Sequence, residues 1–425
     1  MENSSQPLPQ NWAARFFTIW TGQAFSLFGS ALVQFALIWW LTQKTGSGTM
    51  LAFATLAAML PQVVLGPFAG ALVDRWNRRL IMIFADASIA LATLGLIVLF
   101  ATGLVQIWHV YVLMAIRSLG GAFHFPAMGA STRLMVPEKH LTRISGLNQT
   151  LQGVMNMIAP PVGALLIEVF PTQNVLLIDV GTAVLAILPL LFFSIPQPAR
   201  VETPHETKQS LFADVREGLA YVRNWNGLLV VLSMAVLLNF LLTPTGSLMP
   251  LLITKYFGKG AFEFGLMDSA SGFGIIIGGV LLSVWGGFRK KIVTSMLGII
   301  GIGIGIAGVA LVPANLFILA MISMGFSSAM TPITNGPLGA IMQAKVRPDM
   351  QGRVMSLVNS AATAMAPLGL LIAGPVSDLI GIRAWYLIAG LVTIFMGFLG
   401  FSLPAVMQIE DEHPNEPSVV PLAAD

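Results

Sequence analysis

The chain has 425 residues, of which 56% are hydrophobic and only 10% charged, with a formal net charge of +3. Roughly 25% charge is usual in a soluble domain, so this composition excludes a water-soluble globular surface. There is no cysteine, which excludes disulfides and thiolate chemistry and leaves the redox compartment open.

About twelve apolar blocks recur, each near the roughly 20 residues that cross about 30 Å of hydrocarbon. They predict spans at 16–41, 49–73, 80–102, 107–130, 145–169, 174–195, 228–252, 262–286, 292–312, 315–340, 353–378 and 384–404. The fold class expected is an all-α integral membrane protein with twelve transmembrane helices in two six-helix halves. The first fifteen residues are polar and lack a basic segment and cleavage site, so the first span is expected to be retained.

In chain order, span 1 carries Gln23, Ser26, Ser30 and Gln34 on one helical face, followed by Phe35, Trp39 and Trp40. The two tryptophans fall near the outer boundary and suit an aromatic belt. Span 2 ends in GPFAGALVDRWNRR, residues 66–79, where Gly66 and Gly70 make a face for close helix approach beside Asp74, Arg75, Arg78 and Arg79. Asp86 lies near the start of span 3. Arg117 lies within span 4, where an arginine is costly unless paired or hydrated and is a functional candidate by default; Phe123, His124 and Phe125 follow it. Span 5 has Gln149, Gln152 and Asn156 on one face, then Pro160 and Gly163, with Glu168 at its end. Asp179 sits in span 6.

Residues 196–227 form the one long polar stretch between spans. They divide the chain into an N-terminal half (1–195), a cytoplasmic linker (196–227), a C-terminal half (228–404) and a tail (405–425). In the linker, Ser210 is placed to cap a short amphipathic helix bearing Leu211, Val215, Leu219 and Val222, expected along the membrane surface. Span 7 has Asn239 and Phe240, span 8 has Asp268, span 10 has Ser323, Ser327, Thr331 and Asn335, and span 11 has Ser356, Asn359 and Thr363. GIGIAG at 303–308 fits a dinucleotide-binding pattern but lies inside span 9 with no strand before it, so it reads as a packing face.

Arginines and lysines follow the even-numbered spans up to span 10, whereas the opposite loops carry only Lys44, Lys255, Lys259 and Arg383. The positive-inside rule then places even-numbered span ends and both termini in the cytoplasm. A shift of 210 residues superimposes Gly129 and Ala130 on Gly339 and Ala340, Arg143 on Arg353, and Leu147 on Leu357, a weak internal repeat of the kind found in secondary transporters.

GALVDRWNRR (70–79), after the second of twelve spans, resembles the loop signature Gly-x-Leu-x-Asp-Arg-x-Gly-Arg-Arg/Lys of the major facilitator superfamily. Asn77 replaces the second glycine and tolerates the left-handed turn usually made there. LMAIRSLGGAF (113–123) resembles the Leu-x-x-x-Arg-x-x-x-Gly pattern of the family's proton-coupled drug exporters, with Gly120 where glutamine is common. MNMIAPPVGA (155–164) resembles their Gly-Pro-x-x-Gly-Gly motif, with Ala159 and Ala164 for glycines. Topology, length and linker extend the resemblance over the whole chain. The start of span 1 and LPQVVLGPFAGALVDRWNRR are similar to the macrolide-efflux branch, which also includes siderophore exporters.

The resemblance implies export of a lipophilic, macrolide-like compound by proton antiport through alternating access. It assigns gating to Gly66, Gly70, Asp74, Arg75 and Arg79, and a hinge or packing seam to Pro160 and Gly163. Proton coupling falls to Arg117 with Asp179, Asp268 or Asp86. Spans 1, 4, 7 and 10 would surround the path, making Gln34, His124, Asn239 and Asn335 cavity residues, with Phe35, Phe123 and Phe240 beside them as an apolar wall. No Walker, HExxH or GxSxG motif occurs, so no enzyme activity, cofactor or metal is expected, the proton gradient being the energy source. The expected partners are the lipophilic substrate and the bilayer of the cell membrane, not nucleic acid, with one chain acting as a monomer. Export of an endogenous metabolite or siderophore, and a non-transporting receptor or scaffold, are the alternatives.

Overall fold

The computed structural model describes residues 11–195, 216, 219–347 and 350–411. Among them every regular element is a helix: α1 (Trp12–Thr45), α2 (Gly48–Arg75), α3 (Arg78–Ala101), α4 (Ile107–Met135), α5 (Glu138–Val169), α6 (Thr172–Phe192), α7 (Asn226–Lys255), α8 (Ala261–Trp285), α9 (Lys291–Leu311), α10 (Phe317–Lys345), α11 (Gln351–Ala364), α12 (Ala366–Ile380), α13 (Ile382–Ser402) and the short α14 (Pro404–Met407). Eleven spans among the described residues are long and apolar enough to cross a membrane, α11 and α12 counting together. The twelfth long helix, α4, has 29 residues; His109, Arg117 and His124 lower its hydropathy.

The internal repeat is written in the helix ends. Thr45 and Lys255, Arg75 and Trp285, Ala101 and Leu311, Met135 and Lys345, and Phe192 and Ser402 are the last residues of paired helices, each pair 210 residues apart.

The chain forms two compact units. Unit 1 comprises Met1–Glu202, Gly246–Gly272 and Leu370–Ile382. In it α1 packs on α6, α2 on α4, and α3 on both α4 and α6, around Phe16, Ile19, Val73, Met82, Ala127 and Leu190. Unit 2 comprises Thr203–Thr245, Phe273–Gly369 and Arg383–Asp425. There α9 packs on α10, and Trp225, Met296, Ile299, Ile341, Val354 and Ile409 share a core. Glycine makes this packing close: a Cβ on Gly303 would lie 2.7 Å from Gly390 O and one on Gly305 2.6 Å from Ser323 O. The GIGIAG run is thus a helix-packing face.

α3 shows how the sequence builds a membrane helix. Phe84, Leu91 and Val98 recur every seven residues and are exposed, while Asp86 and Thr93 on another face are buried. Large apolar side chains can face hydrocarbon, whereas polar ones need partners inside the protein.

Several local expectations are corrected. Asn77 has φ −70°, not a left-handed value; it caps α3, its Oδ1 accepting from Leu80 N at 3.3 Å. Trp39 is buried and stacks on Phe264 with ring centroids 6.1 Å apart, so it is no belt residue. The linker positions from Ser210 to Val215 lie outside the described residues; farther on, Val222 is buried in the core of unit 2.

Candidate functional site

Unit 1 contains a cavity of about 210 Å³ between α1, α2, α3 and α4, lined among others by Gln23, Ser30, Gln34, Asp86, Arg117 and His124. Its charged groups form two layers. In the first, Arg117 Nη1 lies 2.6 Å from Asp179 Oδ2, and Nη2 donates to Ser30 O at 3.0 Å. Asp179 also accepts from Ser30 Oγ at 2.9 Å and Thr93 Oγ1 at 3.1 Å. The arginine's burial cost is therefore met by a charged partner and a carbonyl.

In the second layer, Gln23 Nε2 donates to Asp86 Oδ2 at 3.1 Å, and His124 Nε2 lies 2.8 Å from Gln23 Oε1 and 3.6 Å from Asp86 Oδ1. Ser30, Thr93 and Arg117 each stand seven residues from Gln23, Asp86 and His124 on the same three helices. Seven residues are two turns, so the layers are about 10 Å apart at 1.5 Å per residue.

Unit 2 contains a cavity of about 300 Å³ without a charged residue in its lining. Asn239, Ser327, Thr331 and Asn335 supply its polar groups, and Met234, Met296 and Met324 are among its apolar ones. Asn239 Nδ2 donates back to Ala235 O at 2.9 Å.

The three aromatic residues expected beside these polar groups pack outside the linings of these two cavities. Phe35 is buried, stacked on Phe264 at 4.7 Å and pressed on Gly163, where a Cβ would meet its ring at 3.1 Å. Phe123 stacks on Trp76 in a separate apolar groove along α3 and α4. Phe240 tilts against Trp385 at 6.4 Å and is absent from the unit 2 lining.

Asp268 stands apart from Arg117 on α8. No hydrogen bond or ion pair of its side chain is found among the described residues, while its neighbour Ser269 donates to Met157 O at 2.7 Å. Pro160 lies in the same seam, where a Cβ on Gly265 would come within 2.8 Å of Pro160 O. Glu168 is exposed.

The basic turn after α2 is tied to the end of α6. Among the described residues, a Cβ on Gly66 would meet nothing within 4 Å. Arg79 donates to Leu190 O and, at 2.7 Å, to Leu191 O, so it closes the C-terminal end of α6 in its own unit. Gly70, Asp74 and Arg75 lie outside the residues whose side-chain surroundings are described.

Sequence reasoning missed Thr93 and Gln62, although the seven-residue spacing of Asp86 and Thr93 repeats that of Gln23 and Ser30. It also missed Asp378, whose carboxylate takes up Ser47 Oγ (2.8 Å), Gly48 N (2.7 Å), Thr49 N (3.0 Å) and Thr49 Oγ1 (2.8 Å) at the start of α2.

Comparison with known proteins gives this architecture a family. The Major Facilitator Superfamily model matches residues 19–369 and 231–420. The chain is 36% identical over 387 residues to macrolide efflux protein A of Streptococcus pyogenes, covering 90% of this chain and 94% of that protein. It is 27% identical over 395 residues to the multidrug efflux pump Tap of Mycolicibacterium fortuitum, with 90% and 94% covered. The solved peptide transporter POT shares the fold at a TM-score of 0.71 and 14% identity, over 96% of this chain and 98% of that one. A helical chain with charges paired around an internal cavity and matched along its length by this family model is a multi-pass membrane protein that belongs to the major facilitator superfamily of transporters.

Proposed function

We propose that this protein exports lipophilic, macrolide-like compounds from the cell in exchange for protons, by alternating access. The observation that carries the reading is the Arg117–Asp179 pair, held at 2.6 Å beside a polar cavity within a membrane span. A charged group in that position marks an ion or proton pathway by default. Support for the substrate class comes from the printed activity of the relatives, macrolide efflux and multidrug efflux, and from the charge-free, methionine-rich cavity of unit 2. Methionine adapts to irregular apolar ligands, and a few amides and hydroxyls suffice to orient them.

In this reading the proton gradient is the energy source, one chain suffices, and the protein lies in the cytoplasmic membrane with both termini inside. The basic turn at Asp74, Arg75 and Arg79 contributes to gating. The test is efflux of erythromycin and a panel of lipophilic fluorescent dyes from cells overproducing the protein, with and without a protonophore, beside Arg117→Ala. Export that both treatments abolish is expected. Export indifferent to the protonophore would sink the antiport reading.

A further inference from the structure

An exchanger needs a group that gains and loses a proton, and the unit 1 cavity holds two charged assemblies. In one, the Arg117 guanidinium does not release its proton in proteins, and the Asp179 oxygens already accept from Arg117, Ser30 and Thr93. In the other, Gln23, Asp86 and His124 are all buried and close a ring of contacts. Because the Gln23 amide nitrogen is committed to Asp86, its Oε1 must accept from His124, which puts a hydrogen on Nε2 of the imidazole. Nδ1 is then the nitrogen at which a second proton comes and goes.

We propose that the proton exchanged for the exported compound binds at the His124–Asp86 pair, with Gln23 holding the two in register and Arg117–Asp179 acting as a fixed pair two turns away. The inference rests on the antiport reading above and deepens it. Uptake adds one N–H bond at Nδ1 and turns the neutral imidazole into an imidazolium facing Asp86; release reverses this, and no other bond changes. Imidazole is the side chain whose unperturbed titration falls near neutrality. The charged groups facing it are Asp86 from α3 and Arg117 on its own α4, the latter paired with Asp179 of α6; α1 and α2 line the cavity with uncharged residues alone.

The internal repeat argues that packing does not require this ring. Residues 210 positions on from Asp86 and His124 are Met296 and Thr334, and they line the cavity of unit 2. The same place in the fold is thus filled without charge, so the buried ring in unit 1 is retained for something other than architecture. The cavity of about 210 Å³ also has room for several waters at about 30 Å³ each, which would connect the ring to Arg117.

The test reads the proton and the coupling separately. Purified protein labelled with nitrogen-15 histidine is titrated by NMR, the His124 resonance being assigned by its loss in His124→Gln. We expect that resonance to change with pH as a proton is gained, and Asp86→Asn to alter that change. Erythromycin affinity at about pH 6 and about pH 8 should differ by about tenfold in wild type, a typical coupling between two ligands. The difference should fall below about twofold in His124→Gln. A His124 that stays neutral throughout, or an undiminished pH difference in His124→Gln, overturns the inference even where wild-type export follows the proton gradient. Wild-type export independent of the gradient overturns the antiport reading, and the coupling role with it, whatever the titration shows.

Discussion

The two cavities occupy the same position in the repeat and differ in charge. Asp86, Arg117, His124 and Asp179 in unit 1 correspond, 210 residues on, to Met296, Ser327, Thr334 and Ala389 in unit 2. Ile89, Met114 and Ser118, which also line the first cavity, correspond to Ile299, Met324 and Ser328 in the second. One ancestral arrangement of helices therefore carries an ionic network in one copy and a neutral, soft lining in the other. Burying charge is costly unless each ion is paired, so a helix bundle that can be built without it keeps it for function. In the function proposed above, this difference separates energy coupling from recognition: protons in unit 1, the apolar body of the substrate in unit 2.

The strongest way to break this comparison is to make unit 1 resemble unit 2. Arg117→Ala leaves Asp179 buried without its cation, and breaking such a pair costs about 3 to 5 kcal/mol. We expect a large drop in melting temperature and loss of uphill export. Arg117→Ser combined with Asp179→Ala, the residues of unit 2, should recover most of the thermal stability and none of the export. A double variant as unstable as Arg117→Ala would show that the pair is architectural after all. Effects confined to unit 2 should be smaller and of another kind. Asn335→Leu or Asn239→Leu removes one polar contact, worth about 1 to 3 kcal/mol where a buried partner is stranded. Affinity should fall about tenfold or more for compounds that use that amide and stay level for others. Proton dependence of export should be unchanged, and a shift in it would contradict the division of labour.

How far the sequence discloses this arrangement depends on helical geometry. The span blocks are legible because hydrocarbon thickness demands a minimum apolar length. Arg117 is legible because a lone intramembrane charge is conspicuous. The repeat is legible as a 210-residue shift, although only the helix ends make it unmistakable. What the sequence leaves open is where the neighbouring aromatic residues point, and it does so three times in the same way. Gln34, His124 and Asn239 line cavities, while their immediate neighbours Phe35, Phe123 and Phe240 pack elsewhere. One residue is a rotation of about 100°, so a polar stripe fixes its own face and says little about the next side chain. The partner of Arg117 is equally hidden: among the three candidate carboxylates, only the packing of α6 beside α1 and α3 singles out Asp179.

A last contrast concerns two carboxylates that are themselves repeat mates and diverge in the opposite sense. Asp378 is 210 residues on from Glu168. In unit 1, Asp378 accepts two backbone and two hydroxyl hydrogen bonds from the first turn of α2, whereas Glu168 is exposed and the start of α8 is closed by its own Glu263, which accepts from Gly260 N at 3.0 Å. A carboxylate at a helix N-terminus satisfies orphan amides and meets the positive end of the dipole, a contribution of about 1 kcal/mol for such a cap. Asp378→Ala should therefore speed hydrogen exchange at Gly48 and Thr49 by about fivefold, the equivalent of about 1 kcal/mol, and Asp378→Asn by less because one acceptor oxygen survives. Glu168→Gln should change exchange at the start of α8 by less than about twofold, since the carboxylate that closes that helix is Glu263. Equal effects at both positions would mean that the two ends remain functionally paired, and the divergence seen between the cavities would not extend to the helix termini.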